Sequence, residues 1–147
     1  MTTMTAQATQ VYSVFVRATP EQMWDAITKP EFTSKYFYGS HVNITPAGFR
    51  GTDGEGNDLV VGELFESDPP RRLVHGWRAL YDPETAAEAE SRVTWEIEPQ
   101  DGGVCRLTVV HDRLEAAPKT ALSVAGGWSY VLSGLKTLLE TGKPLVG

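Results

Sequence analysis

One apolar stripe near the end of the chain limits its fold more than any other feature. Trp128, Val131, Leu132, Leu135, Leu138 and Leu139 recur at the i, i+3, i+4, i+7 spacing of a single helical face. The spacing predicts one helix over Thr120–Thr141, with Gly126 and Gly127 in its first half and Gly142 then Pro144 as its stop. Ser129, Ser133, Lys136, Thr137 and Glu140 occupy the opposite side, so the helix lies on a partner rather than running through the middle of one. At ~1.5 Å per residue it is long enough to cross several strands spaced ~4.8 Å apart, and the partner is expected to be a sheet.

Nearly everything before that helix reads as strand and turn. Gln10 to Arg17 alternates, with Tyr12, Val14 and Val16 on one face and Val11, Phe15 and Arg17 on the other. Thr19-Pro20-Glu21-Gln22 is a helix start with a capping box, and Met23, Trp24 and Ile27 give that helix its apolar side. Lys29-Pro30 breaks it before a second short helix, Glu31 to Tyr36, which is rich in aromatics with Phe32, Tyr36 and, just beyond, Phe37. Strands follow at His41–Thr45, from Phe49, at Leu59–Glu66, Arg72–Leu80, Arg92–Glu98 and Val104–His111, with a loop over Pro83–Glu90. Gly51 to Asp58 lacks the lysine and following helix of a phosphate cradle, so it reads as a hairpin turn. The expected class is α+β, an antiparallel sheet of six to seven strands with two short helices after the first strand and a long C-terminal helix.

Length and charge remove several functions. With 147 residues, 41% of them hydrophobic, residues 1–147 read as a single domain with room for a core and a modest cavity. Thirteen basic against nineteen acidic residues leave a net charge of −6, which disfavours nucleic acid and anionic membrane surfaces as partners. No apolar run approaches the ~20 residues of a membrane span, and Met1-Thr2-Thr3-Met4-Thr5 lacks the regions of a signal peptide, so a cytoplasmic setting is expected. Cys105 stands alone and reads as a small buried thiol.

The candidate chemistry lies on the inward face of the strands. His41, His75 and His111 are too dispersed for a metal signature, and neither a metal nor a cofactor is expected. Ser123, Ser129 and Ser133 lack the strained turn of a hydrolase nucleophile. Period two puts His75 beside Leu73 and Trp77, and His111 beside Leu107 and Val109. Such a histidine either satisfies itself within the core or faces a cavity as a titratable group. Trp24, Trp77, Trp95 and Trp128, with Phe32, Tyr36, Phe37 and Tyr130, likewise serve either as core or as cavity lining. Arg71 and Arg72 are expected to pair with Glu66 or Asp68.

The order of elements, together with Thr19 through Pro30, Glu66-Ser67-Asp68-Pro69-Pro70-Arg71-Arg72-Leu73-Val74, Val93-Thr94-Trp95-Glu96, Leu107 through His111 and Gly127-Trp128 through Gly142, resembles a known family. It is similar to the activator of heat-shock-protein-90 ATPase homologue family, within the START and birch-pollen-allergen-like superfamily. The resemblance spans Val11 to Gly142 and implies a helix-grip fold, a START-like domain whose sheet wraps the C-terminal helix around a cavity. A small hydrophobic or amphipathic ligand is then expected against Trp77, Trp95, His75, His111, Tyr81, Trp128, Leu132 and Leu135. Two alternatives stand beside it. One is a cyclase, dehydratase or hydrolase-like enzyme using His111 or His75 as acid/base with Tyr81 or Glu63 nearby. The other is a chaperone-associated module, although this sequence lacks the additional N-terminal domain of the eukaryotic co-chaperone. A homodimer is expected through a free strand edge or through Phe32, Tyr36 and Phe37.

Overall fold

Local chemistry sets the element boundaries in the computed structural model, which describes residues 7–146. After β1 (Gln10–Val16), Thr19 caps α1 (Pro20–Thr28) with the expected box, Thr19 accepting from the Gln22 N–H and Gln22 reaching back to the Thr19 N–H. Pro30 opens α2 (Pro30–Tyr36). The chain then runs through β2 (His41–Thr45), β3 (Gly48–Thr52), β4 (Asp58–Gly62), β5 (Leu64–Asp68) and β6 (Arg72–Ala79). It continues through α3 (Pro83–Ala86), β7 (Ser91–Pro99), β8 (Cys105–Asp112), α4 (Pro118–Val124) and α5 (Gly127–Thr141).

The strands form one antiparallel sheet in the order β1-β8-β7-β6-β4-β3-β2, with β5 added against β6. Eight strands are present among the described residues, rather than six to seven, because the expected strand Leu59–Glu66 bends into β4 and β5. The bend has a steric cause. A Cβ on Gly62 would stand 1.9 Å from the Gly76 carbonyl oxygen, so the two backbones meet where only glycine fits. Beside it the Gly76 N–H donates to the Glu63 carbonyl, and β6 consequently pairs with β5 at its start and β4 at its end. That bend curves the sheet around the helices. Period two holds across the centre: Leu73, His75, Trp77 and Ala79 on β6, Val93, Trp95 and Ile97 on β7, and Cys105, Leu107, Val109 and His111 on β8 are all buried.

The expected single C-terminal helix is in fact two. α4 ends at Val124, and α5 begins at Gly127 after Ala125 and Gly126. Gly126 and Gly127 favour this break because glycine makes a helix interior costly and supplies no packing side chain. α4 has no side-chain cap of its own; Glu88, from the loop before β7, accepts hydrogen bonds from the Lys119 N–H, the Thr120 N–H and the Thr120 hydroxyl. Burial works to raise the Glu88 carboxyl, but these bonds outweigh it and hold it below the usual carboxylate range. α5 buries Trp128, Val131, Leu132, Leu135 and Leu138 as the stripe requires and stops at Gly142, whose φ of 77° is left-handed.

Two edges of the sheet, at β1 and β2, are blunted. Lys136 on α5 donates to the Phe15 carbonyl, and Glu140 accepts from the Arg17 N–H, so α5 occupies backbone groups along and just after β1. At the far edge the Thr33 hydroxyl of α2 accepts from the Val42 N–H. Of the aromatics expected to support self-association, Tyr36 and Phe37 are buried in the core and only Phe32 stays partly exposed, because α2 packs inward against β2 and α5. Trp24 is likewise only partly buried. Arg71 pairs with Asp68 and Arg72 with Glu66, as expected, and Arg72 also pairs with Glu96, its cross-strand neighbour on β7. Among the described residues, no helix is long and apolar enough to cross a membrane.

Candidate functional site

Three tryptophans and two histidines meet on the concave face of the sheet. Trp77 lies 5.6 Å from the His111 ring and 5.5 Å from Trp128, while Trp95 lies 6.5 Å from His75 and 5.4 Å from Trp128, between ring centroids. Hydrogen bonding fixes the tautomer of each imidazole. The Trp95 indole N–H donates to His75 Nε2 at 2.9 Å, and indole nitrogen is only a donor, so the proton of His75 sits on Nδ1 and is given to the Gly76 carbonyl at 2.8 Å. His111 takes the opposite tautomer. Trp128 donates to its Nδ1 at 3.1 Å, its Nε2–H donates to the Ser91 hydroxyl at 2.7 Å, and Ser91 passes its own proton to the Trp77 carbonyl at 3.2 Å.

Both rings are therefore saturated while neutral. Burial depresses His75 to about 4, the Gly76 carbonyl opposing. Burial also depresses His111, to about 3, with His75 adding to the effect and Asp112 opposing it. Phe49 stacks flat on His75 at 3.8 Å and closes that side. No nitrogen of either ring is left over for a substrate, and among the described residues no carboxylate is hydrogen-bonded to either ring; Glu63 is exposed at the bend between β4 and β5. Among the described residues, no three His, Cys, Asp or Glu side chains are placed to hold a metal ion.

Beside this cluster lies a pocket of about 680 Å³. Its walls come from four directions: Phe37, Tyr38 and Ser40 from the segment after α2, Leu59 and Val60 from β4, Trp77 from β6, and Leu122, Val124, Trp128 and Val131 from α4 and α5. The break between the two helices contributes Gly126 and Gly127 and so opens one side. Tyr81 stands at the rim, 53% exposed, its hydroxyl 2.9 Å from that of Ser123. Tyr38 stacks on Tyr130 at 5.3 Å, also near the opening. No lining side chain carries a formal charge.

Of the residues singled out from sequence, Trp77, Tyr81 and Trp128 line the pocket. His75, Trp95, His111, Leu132 and Leu135 are buried in the core and do not line it. Sequence reading missed Ser91, which period two from Val93 would have placed inward, and it missed the lining role of Ser40 and Leu122; Phe37, one of the aromatics weighed there as core or lining, does line the pocket. Ser40 lies between α2 and β2, outside any periodic segment, and Leu122 stands 54% exposed on α4, off that helix's buried face.

Comparison with known proteins gives a consistent fold. The family model described as "Activator of Hsp90 ATPase homolog 1-like protein" matches residues 17–140. DynU16, from the dynemicin biosynthetic locus, is 25% identical with a TM-score of 0.75, covering 94% of this chain and 49% of that one. An HSP90 activator from Plasmodium falciparum is 20% identical with a TM-score of 0.71, covering 94% and 99% of the two chains. Aha1 from Colwellia psychrerythraea, solved as a dimer, is 14% identical with a TM-score of 0.71, covering 93% and 99%. No curated protein matches the chain.

Proposed function

We propose, from the premise that this chain belongs to the Activator of Hsp90 ATPase homolog 1-like family, that it is a small-molecule-binding domain which holds an apolar ligand between β4, β6 and the α4–α5 break. The observation that carries this reading is the aromatic pocket of about 680 Å³, a volume ordinary for ligand sites, with an uncharged lining and an open side. Acid–base catalysis draws no support from the same geometry, since both core histidines are bonded at both nitrogens and held neutral. The contact residues are Trp77, Trp128 and Tyr81, with Phe37, Leu122 and Val131 completing them. His75, Trp95, His111, Leu132 and Leu135 act from behind by fixing the wall. A cytoplasmic setting suits the lone buried thiol of Cys105.

The test is a titration of the native protein with the neutral dye Nile red. Saturable one-to-one binding with quenching of tryptophan emission is expected, because Trp77 and Trp128 line the pocket. Leu122→Glu, which puts a charge at the opening, is expected to weaken it about tenfold or more. Absence of saturable binding to the folded protein would defeat the reading.

A further inference from the structure

We infer that the ligand of this pocket is an uncharged molecule with an apolar ring system and a hydroxyl group at one end, bound with the rings inside and the hydroxyl at the mouth, on the paired hydroxyls of Tyr81 and Ser123. The inference rests on the pocket reading above and adds to it a chemical class and a direction of binding.

It starts from how polarity is distributed over the lining. The buried lining residues Phe37, Val60, Trp77, Val124, Trp128 and Val131 offer a ligand only apolar surface. The Trp128 N–H already donates to His111, and the Trp77 N–H is buried out of reach. Ser40 adds the one hydroxyl of the buried part. The exposed lining residues, by contrast, bring three hydroxyls, those of Tyr38, Tyr81 and Ser123. A molecule that puts its apolar body on the floor and leaves a polar end at such a mouth gains burial without stranding a polar group.

The Tyr81–Ser123 pair is both accessible and incompletely used. Tyr81 follows β6 and Ser123 lies on α4, so their 2.9 Å bond joins two sides of the pocket, and both residues are exposed. A serine side chain is short; its oxygen stays close to the stretch of α4 that lines the pocket and holds the Tyr81 phenol oxygen there with it. Two hydroxyls that share one hydrogen bond leave one O–H free to donate and lone pairs on both oxygens to accept. Neither oxygen has another protein partner among the described residues.

That remainder selects the head of the ligand. A hydroxyl both donates and accepts, and so it answers the pair in both directions. A carboxylate only accepts and an ammonium only donates, and no lining side chain carries a charge to set against either. The net charge of −6 adds a further penalty against anions. The body is selected by Phe37, Trp77 and Trp128, whose rings lie 5.5 to 6.1 Å apart in the wall and suit a ring system.

Four naphthalene probes of similar size test this: 2-naphthylmethanol, 2-ethylnaphthalene, 2-naphthoate and 2-naphthylmethylammonium, each titrated calorimetrically into the native protein. The alcohol is expected to bind at least as tightly as the hydrocarbon, whereas a pocket that offered its hydroxyl no partner would bind it about tenfold more weakly. Both ions are expected to bind at least about fivefold more weakly than the alcohol. Tyr81→Phe combined with Ser123→Ala, at two exposed positions, is expected to lower the ratio of alcohol to hydrocarbon affinity about fivefold. In unmodified protein the methylene protons of the bound alcohol are expected to show nuclear Overhauser effects to the Tyr81 ring, and its far ring protons to the Val131 methyls, a readout that does not depend on a variant folding. An alcohol weaker than the hydrocarbon, an ion tighter than the alcohol, an unchanged ratio in the double variant, or methylene contacts to Val131 in place of Tyr81 each overturns the inference and leaves the pocket reading standing. Failure of all four probes while Nile red still binds overturns the inference alone, and failure of Nile red as well overturns both.

Discussion

Acid should loosen this fold before its carboxylates protonate, because two neutral imidazoles are locked inside it. In the unfolded chain each histidine titrates near ~6.5, whereas in the folded protein His75 is depressed to about 4 and His111 to about 3. The unfolded state therefore binds more protons below about pH 6.5, and stability falls as pH falls. Their contribution is fully present above pH ~6.5 and is lost on the way down through those folded-state values. Between pH 8 and pH 5 each histidine gives up about 2 kcal/mol, so about 4 kcal/mol together. With a urea slope of ~2 kcal/mol per molar, the midpoint is expected to drop by about 2 M. Urea melts followed by tryptophan emission at pH 8, 6.5, 5.5 and 5 check this. Asp112 and Glu140, also held below the usual carboxylate range, the first chiefly by the Arg92 hydrogen bond and the second chiefly by the Lys136 one, lose their contribution only at lower pH. An unchanged midpoint from pH 8 to pH 5 would refute the neutral, fully bonded state of His75 and His111 on which the binding reading depends.

Two substitutions test the scaffold around the pocket. Leu135→Ala on α5, at a site with no exposure, is expected to cost ~2–5 kcal/mol in denaturant melts, while Lys136→Ala, which removes an exposed ion pair to Glu140 and a bond to the β1 edge, should cost less than about 1 kcal/mol. Equal costs would mean that α5 is not docked by its stripe. Gly62→Ala drives a methyl into the Gly76 carbonyl and should cost on the order of 3 kcal/mol, with faster amide exchange at Gly76. A neutral result there would remove the steric cause given for the β4–β5 bend.

Much of this fold can be read in its alternation. The inward sets of β6, β7 and β8 are buried throughout Leu73–Ala79, Val93–Ile97 and Cys105–His111, as a sheet with one covered face requires, although Val74 and Thr94 on the other face are buried as well. The capping box at Thr19 and the stop at Gly142 are equally local signals. What failed to show was decided by contacts between distant segments. The Gly62–Gly76 approach splits a strand whose own sequence runs on unbroken, and Glu88 caps α4 from a loop 31 residues away from Lys119. The pocket follows the same rule. Trp77 and Trp128 were visible as inward aromatics, but which indole N–H is left unpaired depends on where His75 and His111 stand in space. His75 and His111 look like cavity groups in sequence because an inward polar residue is rare; the structure shows each bonded at both ring nitrogens, to indole N–H groups, a carbonyl and a hydroxyl.

The most direct measurement is a crystal structure of the protein grown with Nile red. The dye is expected in the pocket against Trp77 and Trp128, in contact with Phe37 and Leu122, with the Trp95–His75 and Trp128–His111 hydrogen bonds unchanged. A dye seated instead on the exposed face of β1 at Val11 and Phe15, or one that displaces an indole to reach His75 or His111, would contradict the account.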